Sequence, residues 1–372
     1  MASAAFFGML STLFIKKYNP SIFNSYSLYI TFIGIVSSFG LLGFDQMFLR
    51  TSHKENNSIL IEKRLYYFIF FALIIFPVIS LFFFKDDPSL NIIILLLTGW
   101  SINIIMYAYN TYRLKEDFLF SQALKNSYKI SFFLIIVSFY LLHIKLNLLY
   151  TFSVILVFLA FIGLYAIIKY IKIDNQNTKD FYKLYFSFLI NIGLLTALGF
   201  GERLLIKDKI GIDAFGKYFY YLTIFIFPLT LIQQYVGFKE LVFFKKKIDK
   251  KIILKKIKII TAIGFAITLV TILIVIIDNG RFLEVDLIKD KFLIFALFFL
   301  GLIKLTYGLF SAILGAKGKY KDLINLNIIT IVVVLLNILV LKTFGYSIIA
   351  IIYALSSIFF TRTAFIYYKY VK

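Results

Sequence analysis

Residues Ile259–Ile277 read IITAIGFAITLVTILIVII, nineteen positions without a charge. At about 1.5 Å of rise per residue, a helix of this length nearly crosses the hydrocarbon core of a bilayer, roughly 30 Å thick. A strand of a transmembrane barrel would alternate polar and apolar side chains, and this stretch does not. Outward from it, in both directions, similar apolar runs recur. They predict twelve helices: Ala2–Ile15, Ser25–Leu49, Leu65–Phe84, Leu90–Tyr112, Ile130–Leu142, Leu146–Ile168, Phe181–Ile206, Tyr218–Phe238, Ile259–Ile277, Phe292–Leu314, Leu323–Leu341 and Tyr346–Tyr368. The expected fold class is all-α integral membrane.

Composition points the same way. Of 372 residues 61% are hydrophobic and only 16% charged, against about 25% charged in soluble domains, which is too little polar surface to cover a water-soluble globule. Twelve spans leave about 130 residues for all the connections, so no connection can hold a folded soluble domain. The chain has no cysteine, which excludes disulfides, thiolate ligands and iron–sulfur clusters. His53 and His143 lie far apart, and no phosphate-binding loop or dinucleotide fingerprint is present. No metal, cofactor or catalytic residue is expected. No basic residue precedes the first helix, so a cleaved signal peptide is not expected either.

The net charge of +21 reads as basic connections that set topology and meet anionic lipid headgroups, not as a nucleic-acid surface. Connections after even-numbered helices, with the C-terminus, hold 26 of the 40 Lys and Arg; those after odd-numbered helices hold 11. This bias puts both termini in the cytoplasm. The remaining three, Arg203, Lys304 and Arg362, lie inside helices. The longest inward connection, KELVFFKKKIDKKIILKKIK from Lys239 to Lys258, is predicted to lie as an amphipathic helix on anionic membrane lipids. A polar stretch, Lys169–Asp180, marks the expected boundary between two six-helix bundles, 1–175 and 176–372.

The bundles carry traces of a repeat. KKYNPSIFNSYSLYIT from Lys16 and DKIGIDAFGKYFYYLT from Asp208 agree at five of sixteen positions: Lys17 with Lys209, Phe23 with Phe215, Tyr26 with Tyr218, Tyr29 with Tyr221 and Thr31 with Thr223. Chance would give roughly one or two. With six helices per half, this is a parallel repeat, an arrangement found in transporters whose two bundles rock about a central site.

Polar groups inside the apolar runs are the candidate functional residues. A charge at mid-bilayer costs at least about 2.5–3.5 kcal/mol. Lys304 lies about 12 residues into its helix, roughly 18 Å deep, where it either faces a cavity or has an acidic partner. Arg203 either pairs with Glu202 or reaches the outer interface. Asn103, Tyr107 and Asn110 share one helical face, which fits either a hydrated path or interhelical hydrogen bonds. Gln233 and Gln234 add polar groups to the eighth helix, where Pro228 breaks one backbone hydrogen bond. That break makes either a hinge or a static kink.

The run IFNSYSLYITFIGIVSSFGLLGFDQMFLR, Ile22–Arg50, resembles the start of polysaccharide exporters of the multidrug/oligosaccharidyl-lipid/polysaccharide superfamily, through Gly43, Phe44, Asp45 and Arg50. GFGERLLIKDKIGIDAFGKY resembles the second-half motif of that family, with Glu202 and Arg203 followed by Gly216 and Tyr218. The resemblance implies a flippase that carries polyprenyl-diphosphate-linked glycan, an O-antigen or capsule repeat unit, across the bacterial cytoplasmic membrane, and association with glycan polymerase machinery. On that reading Arg203, Lys304 and Arg50 bind the diphosphate. Asn103, Tyr107, Asn110, Gln233 and Gln234 line the sugar path, and Asp45 and Glu202 are candidates for ion coupling. Two alternatives stay open. One is a related exporter of drugs or cell-wall lipid precursors. The other is a membrane glycan polymerase or acyltransferase, which the short outward loops and the end-of-helix position of His143 disfavour.

Overall fold

A computed structural model describes residues 2–81, 84, 91–143, 147–174, 181–246, 249–318 and 320–371. The chain is a helical, multi-pass membrane protein, 86% helix. Among the described residues nine helices are long and apolar enough to cross a bilayer.

The chain divides into two compact units. One comprises Met1–Ser11 with Ser21–Phe200, the other Thr12–Pro20 with Gly201–Lys372. The expected boundary between residues 175 and 176 lies outside the described residues. In the first unit, α1 (Ala2–Tyr18) leads through a short 3₁₀ turn at Pro20–Ile22 into α2 (Phe23–Phe39) and α3 (Phe44–Thr51). Then follow α4 (Lys63–Ser80), α5 (Ile92–Leu114), α6 (Phe118–Leu141), α7 (Leu148–Tyr170) and α8 (Phe181–Lys209), which continues into the second unit.

Helix α5 is the hub of the first unit and packs on α2, α4, α6 and α7. Close approach is made by small residues, as expected where lipid supplies no hydrophobic driving force between helices. A Cβ on Gly163 of α7 would stand 3.2 Å from the Ala108 methyl of α5. Three hydroxyls join α2, α5 and α7: Tyr29 Oη lies 2.6 Å from both Thr98 Oγ1 and Ser153 Oγ, which are themselves 3.0 Å apart.

The second unit contains α9 (Ile212–Tyr221), a π-helical turn at Leu222–Ile226, α10 (Phe227–Lys246), α11 (Lys250–Asp278), α12 (Lys291–Lys317), α13 (Tyr320–Phe344) and α14 (Ile348–Tyr370). Here α12 is the hub, packed on α10, α11 and α14. Gly301 and Gly308 of α12 face Leu229 and Gln233 of α10, where any Cβ would collide with those side chains.

Several elements differ from the sequence reading. The predicted helix Ser25–Leu49 is broken at Gly40–Gly43, where Leu42 and Gly43 take φ of 50° and 79°. The connection after it, expected to be a basic loop, holds a hairpin of β1 (His53–Glu55) and β2 (Ser58–Glu62), and β2 pairs in parallel with β3 (Ile171–Asp174). The predicted surface helix Lys239–Lys258 is not a separate element. Its first residues extend α10, and Asp249 caps a new helix by accepting from the Lys251 and Ile252 amides at 2.8 and 3.4 Å. The fifth predicted helix begins twelve residues earlier, at Phe118, because Asp117 caps it by accepting from the Phe120 amide.

Around Pro228 the backbone adjusts locally. Proline has no N–H to offer four residues back, and just before it the Phe227 N–H donates to Leu222 O, five residues back. Single π turns of this kind recur at functional sites in helices.

Candidate functional site

The three cations that the sequence placed inside apolar runs all fall in the second unit. The last turns of α8 carry Glu202 and Arg203. Glu202 is buried, and its Oε1 accepts from Tyr218 Oη at 3.4 Å while lying 3.7 Å from Arg203 Nε. Its Oε2 is sealed from solvent and has no hydrogen-bond partner among the described residues. The Arg203 guanidinium also lies 5.5 Å from the Phe219 ring centre, a cation–π distance. Glu202, Arg203, Tyr218 and Phe219 are thus held together by α8 and α9.

Lys304, half-buried on α12, lies within electrostatic range of Glu202 and Arg203. Among the described residues it makes no ion pair, and its ammonium stands 5.2 Å from the Phe359 ring centre. Among the described residues Glu202 thus lies near two cations, Arg203 and Lys304. Removing a charge from water is costly unless it is paired, and the Lys304 ammonium makes no ion pair among the described residues.

Arg362 plays a different part. It is 1% exposed, and donates from Nε to Tyr307 Oη at 3.1 Å and from Nη1 to Thr330 Oγ1 at 2.8 Å. Tyr307 in turn packs edge-on against Phe359, with ring centres 5.2 Å apart. Lys304 and Tyr307 are one turn apart on α12, as Phe359 and Arg362 are on α14. Arg362 therefore braces the aromatic wall against which Lys304 lies, and is itself sealed from any ligand.

The remaining candidates sit elsewhere. Gln233 packs its stem and backbone against Gly308, and the side chain of Gln234 lies outside the described residues. Asp45 and Arg50 belong to the first unit, at the start and end of the short helix α3, which places each charge favourably in the helix dipole. Asp45 is half-buried and accepts from Gln46 Nε2 at 3.1 Å; Arg50 is exposed, 5.9 Å from the Phe188 ring centre.

The polar stripe on α5 is packed inside the first unit. Asn103 donates from Nδ2 to the Gly40 carbonyl at 3.3 Å, at the break between α2 and α3. Tyr107 sits edge-on to Phe48 in the apolar cluster around α3. Asn110 accepts from Arg113 Nη1 at 3.3 Å. Glu202, Arg203 and Lys304 are brought together, whereas Asp45, Arg50 and the stripe form a separate neighbourhood around α3 and α5. Among the described residues, no three histidine or acidic side chains converge to hold a metal ion.

Neither a family model, nor a curated protein, nor a solved structure matches this chain. The site is therefore read from its own geometry. Sequence reasoning passed over Tyr218 as an acid's partner and Phe359 as a wall. The matched pair Tyr26 and Tyr218 was the available signal: both are buried, as are Phe23, Phe215, Tyr29, Tyr221, Thr31 and Thr223. Thr31 and Thr223 even make the same bond, each donating to the carbonyl four residues back.

Proposed function

We propose that this chain is a twelve-span flippase of the bacterial cytoplasmic membrane. It moves a polyprenyl-diphosphate-linked oligosaccharide from the inner to the outer leaflet, with both termini cytoplasmic and two parallel-related six-helix lobes. It is a transporter, not an enzyme. The observation that carries the reading is the ammonium of Lys304, unpaired among the described residues and set beside the Glu202–Arg203 pair deep in an apolar unit. A diphosphate crossing a bilayer loses its hydration, and fixed cations offset that loss through charge-assisted hydrogen bonds. Glu202 keeps the cluster from holding the diphosphate too tightly, because it competes for Arg203, and a proton or sodium ion on its buried carboxylate would tune that competition. Arg50, exposed on α3, is the first contact for an incoming headgroup. Support for the lobe relation comes from the packing: α5 and α12 share three corresponding neighbours, α2, α4 and α7 for one and α10, α11 and α14 for the other, although α5 also packs on α6.

Reconstituted vesicles carrying a fluorescent polyprenyl-diphosphate sugar provide the test. The wild-type chain is expected to expose the label to an external quencher, and Lys304→Ala to slow this by about tenfold or more, the effect of removing one charge-assisted hydrogen bond. Flipping at an unchanged rate by a well-folded Lys304→Ala protein would refute the assignment.

A further inference from the structure

A second group of cations lies in the first unit, whereas Lys304 belongs to the second. Arg113 sits in the last turn of α5, and Lys125 and Lys129 lie one turn apart on α6. The Lys125 ammonium stands 4.5 Å from the centre of the Tyr109 ring, and the Arg113 guanidinium 5.4 Å from the same centre. Lys129 lies within electrostatic range of Lys125, and its stem is laid along Gly8 of α1, where a Cβ would come within 3.4 Å of Cδ. The two helices are pinned side by side here, since buried Ser121 of α6 donates to the Tyr109 carbonyl of α5 at 3.0 Å.

Three features separate this group from an ordinary basic loop. First, all three cations are half-buried. They are neither spread into solvent nor sealed like Arg362. Lys125 and Lys129 lie seven and eleven residues into α6, roughly 10 and 16 Å from its start. Second, none of the three makes an ion pair among the described residues. Asp45 lies within electrostatic range of Arg113 and Lys125 but bonds to its neighbour Gln46 instead. Third, the Arg113 guanidinium is oriented by buried Asn110, which accepts from Nη1. Like charges gathered in a crevice repel one another, and one distant carboxylate does not balance three cations. A dianion would.

We propose that Arg113, Lys125 and Lys129, gathered around Tyr109, form a binding site for a phosphate or diphosphate group, borne by a lipid or free in water. Arg113 supplies planar paired donors, the two lysines supply point charges from one helical face, and Asp45 sets an upper limit on affinity by repelling the same anion. This site belongs to the first unit and the Lys304 cluster to the second, and its test reads binding, not transport.

The full chain is titrated in a non-ionic detergent with inorganic pyrophosphate and, separately, with farnesyl diphosphate. Lys125→Gln/Lys129→Gln is expected to weaken one binding event by about a hundredfold, near tenfold for each ammonium removed. Lys304→Gln is expected to leave that event unchanged, so failure of the flippase reading and failure of this one are distinguishable. Asp45→Asn is expected to tighten the same event several-fold. If only farnesyl diphosphate shows the event, the ligand is lipid-borne; if both probes show it equally, the bare diphosphate suffices. Isotherms of a monodisperse Lys125→Gln/Lys129→Gln protein that match wild type for both probes would overturn the site. If that variant does not fold, unchanged affinity in Asp45→Asn would overturn it instead.

Discussion

Two cations of the second unit, Arg362 and Lys304, differ in how they are satisfied. Arg362 is satisfied by Tyr307 and Thr330 and hidden from solvent, whereas Lys304 rests on Phe359 without an ion pair among the described residues. Breaking the first arrangement leaves the buried Tyr307 hydroxyl without its donor, at about 1–3 kcal/mol, and takes one bond from Thr330, whose hydroxyl still donates to the Leu326 carbonyl. Arg362→Leu is therefore expected to lower the melting temperature in detergent by many degrees, with Arg362→Lys recovering little because it cannot reach both partners. Lys304→Leu is expected to leave stability within about 1 kcal/mol of wild type or to raise it, since an apolar side chain replaces an uncompensated charge. Melting curves of the three proteins check both statements. The sequence made these cations conspicuous because a charge within an apolar run has few explanations. It left their partners hidden, because Tyr307, Thr330 and Arg362 come from three helices. Lys125 escaped notice for the opposite reason: a lysine just before an apolar run reads as part of a connection until Asp117 is recognised as the cap that starts the helix earlier.

Among the elements, most helices were legible from their apolar runs and the irregular pieces were not. In SSFGLLGF, Ser37–Phe44, the glycines lie inside an apolar run and look tolerable within a helix. What breaks the helix is tertiary: the Asn103 amide takes the Gly40 carbonyl, and Gly43 adopts a left-handed conformation. A Cβ at position 43 would also stand 3.1 Å from the Leu189 backbone nitrogen. Gly43→Ala is expected to destabilise the chain by about 1–2 kcal/mol from backbone conformation alone, measurable as a lowered melting temperature. The hairpin was signalled by Asn56–Asn57, with Asn56 at φ 50°, but its strands of three and five residues are too short for a periodic pattern. On the α11–α12 connection, Asp290 accepts from Lys217 Nζ at 2.6 Å and from Tyr221 Oη at 2.5 Å, tying that connection to α9. Partial burial alone would raise its pKa. The hydrogen bonds from Lys217 and Tyr221, with the charges of Lys217 and Lys289, outweigh this and hold the carboxyl below its usual range. A depressed folded-state pKa contributes stability above the unfolded value of 3.8 that is lost as pH falls through the folded value. Asp290→Asn should therefore melt earlier than wild type at pH 7, and the gap should narrow as pH falls below 3.8.

Over the whole molecule, part of the packing recurs with the order of the chain. Helix α5 touches α2, α4, α6 and α7 in the first unit, and α12 touches α10, α11 and α14 in the second. Numbering the twelve expected segments in order, the fourth segment meets the second, third, fifth and sixth, and the tenth meets the eighth, ninth and twelfth. A shift of six segments maps three of the four neighbours of the fourth onto those of the tenth, and an even shift would keep every segment in the same direction across a bilayer. Such a repeat demands that the connections of one parity share one side. The cation bias then says which side: 26 lysines and arginines against 11 favour the even connections facing inward. Two exposed positions report on this in a chain that contains no native cysteine. Lys172, on β3, lies in the connection after the sixth expected segment, and Ile288, 84% exposed, lies in the one after the ninth. In intact cells an impermeant thiol reagent should label Ile288→Cys and spare Lys172→Cys, with both reacting once the membrane is opened. Labelling of both in intact cells would break the parity, and with it the six-plus-six repeat. Labelling of Lys172→Cys alone would keep the repeat and reverse the protein in the membrane, leaving the basic face outside, against the potential that would otherwise drive a diphosphate outward at about 2.3 kcal/mol per charge for each 100 mV.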